Sequence, residues 1–186
     1  MSILEPVTTL PFGRPLTRAD LDAMPDDGHR YELIDGVLVV TPAPVWMHQR
    51  VSSNLLKILL AGCPSDLEVL HAPFDVALAE DTVMQPDLLV ARRADYSRRG
   101  LEKTPPVLAI EILSPSTRRF DLMLKRSRFE SAGCASYWVV DPDQPSLIAW
   151  DLRDGHYAEV GNVAGASEFT ADAPFAVTVV PETLVR

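Results

Sequence analysis

Val107-Leu108-Ala109-Ile110-Glu111-Ile112-Leu113, followed by Ser114-Pro115-Ser116-Thr117, is the stretch on which the reading of this chain turns. Seven residues with a single polar member read as a strand buried on both faces. Ionising Glu111 in such a place costs several kcal/mol unless a cation or good donors compensate it. Side chains alternate along a strand, so Val107, Ala109, Glu111 and Leu113 are expected on one face. Upstream, Pro86-Asp87-Leu88-Leu89-Val90 starts a second apolar strand with an acid, and Asp87 shares its face with Leu89 and Ala91. If the two strands are neighbours, both carboxylates converge on one cation. Mg²⁺ or Mn²⁺ is the expected ion, since hard cations take oxygen ligands and are commonly held by one or two carboxylates plus substrate phosphate. The segment after Thr117 carries Asp121 and Lys125, and a lysine near two acids suits phosphodiester hydrolysis by stabilising developing charge.

Working outward, turn chemistry sets the element boundaries. Asp35-Gly36 between Tyr31–Ile34 and Val37–Val40, and Asp154-Gly155 between Ile148–Leu152 and His156–Val160, predict two hairpins. Thr17 caps a short helix over Arg18–Met24, stopped by Pro25. A helix over Val45–Ala61 presents Val51, Leu55, Leu56, Ile58 and Leu59 as its apolar side and closes at Gly62 and Pro64. Further strands are expected at Glu68–His71, Phe74–Leu78, Asp87–Ala91, Ser136–Val140 and Phe175–Val180, with a basic loop between Ala91 and Val107. An amphipathic helix over Arg118–Ala132 ends at Gly133. The order of elements predicts an α+β domain with a mixed sheet flanked by helices, preceded by a Pro-rich arm over residues 1–16, with 17–186 as a single domain.

The bulk numbers bound the function. A length of 186 residues with 47% apolar and 23% charged residues suits one soluble domain. Cys63 and Cys134 stand alone, which excludes a zinc ribbon and points to a reducing cytoplasm. No basic-then-apolar leader and no apolar run of about 18 residues is present, so neither a secretory signal nor a membrane span is expected. The net charge of −9 opposes nucleic-acid binding as a whole. Its distribution does not: from Arg92 to Arg128 ten basic residues face four acids, leaving −15 on the remainder. Arg118 and Arg119 are the candidate phosphate contacts in that stretch; as positive charges at a helix start they are unfavourable to the dipole.

The ordered set Tyr31-Glu32-Leu33-Ile34-Asp35-Gly36, His48, Pro86-Asp87, Glu111-Ile112-Leu113-Ser114-Pro115-Ser116-Thr117, Asp121, Lys125 and Tyr137-Trp138-Val139-Val140-Asp141-Pro142 resembles the Uma-two family of restriction-endonuclease-like proteins, within the PD-(D/E)XK nuclease superfamily. The resemblance covers about residues 30 to 152. It implies a restriction-endonuclease-like fold, a Mg²⁺- or Mn²⁺-dependent endonuclease acting on DNA, and a homodimer. It also implies that Asp87 and Glu111 hold the metal, with Ile112 beside them in the metal set, and that Glu32 assists. His48 and Asp121 would support the site. One departure stands out. The lysine of the E-X-K element is replaced by Leu113, so Lys125 on the following helix would take its place.

Each residue also has a plainer reading. Asp87 can cap a turn, Glu111 can pair with a buried arginine, and Lys125 can simply support a helix four residues after Asp121. Ser114, Ser116 or Thr117 suits an N-cap better than a nucleophile, because no nucleophile-elbow motif is present. Two rival functions follow: a non-catalytic binding or assembly module on the same fold, and a metal-dependent hydrolase of a small phosphorylated substrate. The nuclease reading requires Asp87 and Glu111 to meet, with neither sealed permanently by a guanidinium.

Overall fold

The computed structural model describes residues 10–97, 100–115 and 118–186. Most of the arm, Arg98, Arg99 and the capping candidates Ser116 and Thr117 lie outside the described residues. In chain order the elements are α1 (Arg18–Leu21), β1 (Arg30–Ile34), β2 (Val37–Thr41), α2 (Trp46–Gly62), β3 (Leu67–His71), β4 (Val76–Ala79), β5 (Thr82–Met84) and β6 (Leu88–Arg92). Then follow β7 (Tyr96–Ser97), β8 (Gly100–Glu102), β9 (Leu108–Ile112), a π-helical segment (Phe120–Lys125), α3 (Arg126–Ala132), β10 (Ser136–Asp141), β11 (Ser146–Arg153), β12 (His156–Ala164), β13 (Phe169–Ala171), β14 (Val177–Val179) and α4 (Pro181–Leu184).

The strands form two six-stranded mixed sheets rather than one. The first runs β2-β1-β5-β4-β8-β7 and the second β12-β11-β10-β9-β6-β3, while β13 and β14 make a separate ribbon. The parallel pairs are β4 with β8 and β9 with β10. The α+β class is as expected. The split arises where the expected basic loop instead folds into the hairpin β7–β8, which extends the first sheet, and where Thr82–Met84 supplies a strand too short to show a period.

Both predicted hairpins form. Asp35 and Gly36 adopt positive φ (53° and 74°), as do Asp154 and Gly155 (52° and 81°). Two consecutive left-handed residues match the right-handed twist of the flanking strands. Gly36 is doubly constrained, because a methyl group there would come within 2.5 Å of Pro15 Cβ. The arm residue Leu16 is buried and donates its N–H to the Gly36 carbonyl at 2.9 Å. Gly133 ends α3 in the left-handed region, φ 83°, as its position predicts.

Alternation distributes the apolar side chains among three layers. On one face of the second sheet, Leu88, Val90, Leu108, Ile110 and Ile112 pack with Val51, Leu55 and Leu59 of α2 and with the β13–β14 ribbon. On its other face, Leu89, Ala91, Ala109, Leu113, Tyr137 and Val139 meet Ile34, Val76, Met84 and Leu101 of the first sheet and Phe129 of α3. Leu33 and Val83 face outward beneath Leu16 and Leu21. Val107, expected on the face of Glu111, packs instead in the α2 layer, because it precedes β9 and is free of that strand's alternation.

Candidate active site

The layer between the two sheets holds an ionic cluster. β6 and β9 are antiparallel neighbours with Leu88 opposite Ile110, and one further step of that register sets Asp87 opposite Glu111. Glu32 belongs to β1, on the same side as the core residue Ile34. Lys125 and Asp121 come from the π-helical segment, four residues apart, and both are buried. The chain expected as a continuous α-helix over Arg118–Ala132 is thus wound more widely over Phe120–Lys125. Such widenings recur at functional sites. Glu32, Asp87, Glu111, Asp121 and Lys125 are each at most 4% exposed.

Lys125 Nζ lies 2.9 Å from Glu32 Oε1, 3.1 Å from Glu111 Oε1 and 3.8 Å from Asp121 Oδ1. Glu32 Oε1 also accepts the Gln85 main-chain N–H at 2.8 Å. Asp87 Oδ2 accepts the Ile112 N–H at 2.8 Å and lies 3.0 Å from His48 Nε2, while Oδ1 accepts from Arg30 Nη1 at 2.9 Å. Arg30 Nε is 3.6 Å from Glu32 Oε2. The buried atoms Glu32 Oε2, Glu111 Oε2 and His48 Nδ1 make no hydrogen bond. Among the described residues, four buried carboxylates thus lie against two full cations, Lys125 and Arg30.

The electrostatics diverge within this cluster. Burial pushes the Glu111 carboxyl well above the usual range; Lys125 opposes the shift and the neighbouring acids Asp121, Asp87 and Glu32 add to it. Burial alone would lower the Lys125 ammonium, but Glu111, Glu32 and Asp121 outweigh it and raise it. Burial would likewise raise Asp87, yet His48, Arg30 and the Ile112 N–H hold it down at about 2. A carboxyl depressed in the folded state contributes stability above its unfolded value of about 4, and loses it as pH falls through the folded value. Asp87 should thus contribute about 2 kcal/mol that disappears between about pH 4 and about pH 2. Urea unfolding of the wild type and Asp87→Asn over that range checks this; equal acid losses in both would sink it.

The cluster lies behind a cavity of about 810 Å³ lined by Asp87, Arg30, His48, Gln85 and Ile112 together with segments 21–31, 41–45 and 71–75. Among the described residues, Arg30 is the one Lys or Arg on its wall. Among its described residues, the basic stretch does not assemble there. Arg118 bonds Asp141 at 2.6 Å, Arg93 reaches Glu68, Arg128 reaches Asp35, and Arg126 stacks on Trp150. Arg119 is exposed. Ile112 contributes its N–H to Asp87, while its side chain is in the α2 core layer, so only its carbonyl could face a metal. Arg30 and Gln85 escaped the sequence reading. For Arg30 a signal existed, since it shares a strand face with Glu32 two residues on. The N–H of Gln85 left none.

A hard divalent cation fits these residues. They supply oxygen donors from several clustered carboxylates and two buried carboxylate oxygens lacking a hydrogen-bond partner. Among the described residues, no three His, Cys, Asp or Glu side chains already surround a common cation position. Lys125 and Arg30 stand against the oxygens instead.

Two mixed sheets with acids and a lysine buried between them, flanked by helices, give the chain a restriction-endonuclease-like α+β fold. The chain belongs to the Uma2 family, described as "Putative restriction endonuclease", whose pattern matches residues 18–180. A solved structure described as a "putative nuclease belonging to DUF820", from Anabaena variabilis, superposes with a TM-score of 0.73 at 16% identity, covering 92% of this chain and 98% of that one. No curated protein matches the chain. No helix among the described residues is long and apolar enough to cross a membrane.

Proposed function

We propose that the protein is a Mg²⁺- or Mn²⁺-dependent endonuclease that hydrolyses phosphodiester bonds in DNA. The observation that carries this reading is that Glu32 and Glu111 meet on Lys125 while the β6–β9 register sets Asp87 opposite Glu111, with Glu32 Oε2 and Glu111 Oε2 left without donors. Asp87, Glu111 and the Ile112 carbonyl would hold the metal, and Glu32 would assist. A divalent cation held there would supply an acidified water and polarise the phosphodiester. Lys125, whose charge the acids now share, would orient the attacking water and offset charge on the phosphoryl oxygens. His48, with Nδ1 free of a hydrogen bond, and Asp121 would support the site. Arg118 and Arg119 remain candidate phosphate contacts outside it. The proposal keeps a cytoplasmic homodimer; Val37 and Val40, exposed on the edge strand β2, offer apolar surface for a second copy.

Calorimetric titration with Mn²⁺ followed by nicking of supercoiled plasmid tests the reading. Stoichiometric binding and Mn²⁺-dependent nicking that weakens steeply with salt are expected. The Arg30–Asp87 pair favours a second reading, a non-catalytic module on the same fold, and binding without cleavage would select it.

A further inference from the structure

Resting on that reading of the acids, we infer that Arg30 is a built-in counter-ion that competes with the metal for Asp87 and, once displaced, becomes the cavity's phosphate-binding cation. Its guanidinium contacts Asp87 Oδ1 at 2.9 Å and lies 3.6 Å from Glu32 Oε2, and these are oxygens of one acid that would hold the metal and one that would assist. The remaining acids lie behind it: Asp87 and Arg30 line the cavity, whereas Glu32, Glu111 and Lys125 do not. The donor-free oxygens of Glu32 and Glu111 thus lie back from the wall to which Arg30 and Asp87 belong, and Arg30 Nε is the cationic atom beside the Glu32 one.

The two cations of the cluster differ in freedom. Lys125 is 2% exposed and held among three acids, so it is a fixed part of the interior. The Arg30 side chain is 22% exposed, and its further contact is a hydrogen bond from Nε to Thr41 Oγ1 at 3.1 Å on the neighbouring strand. A long side chain anchored at the end of β1 can swing toward the cavity without disturbing the sheet. Burial lowers the guanidinium's pKa, but the charges of Glu32, Asp87 and Glu111 outweigh this, so the group stays charged in either position. A dication held by Asp87 and its neighbouring acids would offset that attraction and leave the guanidinium facing the cavity. Its planar fork suits a phosphate there, in a wall that otherwise presents Asp22, Asp26, Asp75 and Asp143.

The test uses the full-length protein, with Arg30→Gln and, as a charge-retaining second variant, Arg30→Lys, both first shown to unfold cooperatively. Three readouts are taken: Mn²⁺ affinity by calorimetry, the NMR resonance of the Arg30 Nε–H during Mg²⁺ titration, and binding of inorganic phosphate to the Mg²⁺-loaded protein. Arg30→Gln should bind Mn²⁺ about tenfold or more tighter than wild type, and phosphate about tenfold more weakly. Arg30→Lys should fall between the two in both. The wild-type Nε–H resonance should shift and exchange faster with solvent as Mg²⁺ saturates. Metal binding in wild type with an unmoved resonance and an unchanged affinity in Arg30→Gln overturns the inference and leaves the metal-site reading intact. Binding in Arg30→Gln alone supports it. No binding in wild type or either variant sinks both.

Discussion

Glu111→Gln should lower metal-dependent cleavage about a thousandfold or more while the protein keeps its fold. The loss is large because Glu111 lies within a strand buried on both faces and has an oxygen available to a cation. Replacing a metal-holding carboxylate removes both the charge that attracts the ion and the position of the water it activates. Survival of the fold follows from the raised Glu111 pKa. Burial already favours the neutral side chain, and glutamine reproduces its shape and a hydrogen-bond acceptor toward Lys125. Asp87→Asn should cost comparable activity but also some stability, because Arg30, His48 and the Ile112 N–H all contact an ionised Asp87. Plasmid nicking with Mg²⁺, beside a thermal melt of each variant, measures both effects. Full activity in either variant would refute the metal assignment.

Lys125→Met should produce the largest loss of stability, about 3 kcal/mol or more at neutral pH, because it leaves Glu32, Glu111 and Asp121 buried without their shared cation. The sign of the pH dependence is opposite to that of Asp87. Burial already raises the Glu111 pKa against the opposing pull of Lys125, and removing that lysine raises it further above its unfolded value. The variant should therefore recover stability at low pH, where Glu111 is protonated, and lose it as pH rises through the raised value. Denaturant unfolding at about pH 5 and about pH 8 reads this directly, and a deficit equal at both would show that packing rather than charge is at issue. Lys125→Ala should also slow turnover more than it weakens Mn²⁺ binding; a change confined to affinity would place the lysine outside the chemical step.

Much of the site was legible because its acids sit in patterns that local rules expose. A charged residue inside Val107–Leu113, and another opening Leu88–Val90, violates the composition of a doubly buried strand, and such violations gather at functional sites. Glu32 and Lys125 carried weaker signals, since an acid at a strand's edge and a lysine four residues after an aspartate occur on any surface. The split into two sheets was not legible. Tyr96–Ser97 and Gly100–Glu102 pair through a few residues whose basic composition reads as loop, and Leu101 is buried only because β4 offers it a neighbour. The π-helical winding over Phe120–Lys125 left no trace either, because the apolar periods of an α- and a π-helix differ too little across six residues.

By itself, the sequence determined the hairpins at Asp35-Gly36 and Asp154-Gly155, the end of α3 at Gly133, and the presence of acids on two strands too apolar to hold them without compensation. Each of these depends on φ preferences and alternation within a few residues. Only the tertiary structure decided that β6 lies beside β9, that Lys125 points between Glu32 and Glu111, and that Arg30 closes on Asp87 from 57 positions away. The reason is physical: charge compensation in a buried cluster depends on distances of about 3 Å between side chains from separate strands and a helix. Those distances are fixed by how the two sheets pack across their shared core, which no local spacing encodes.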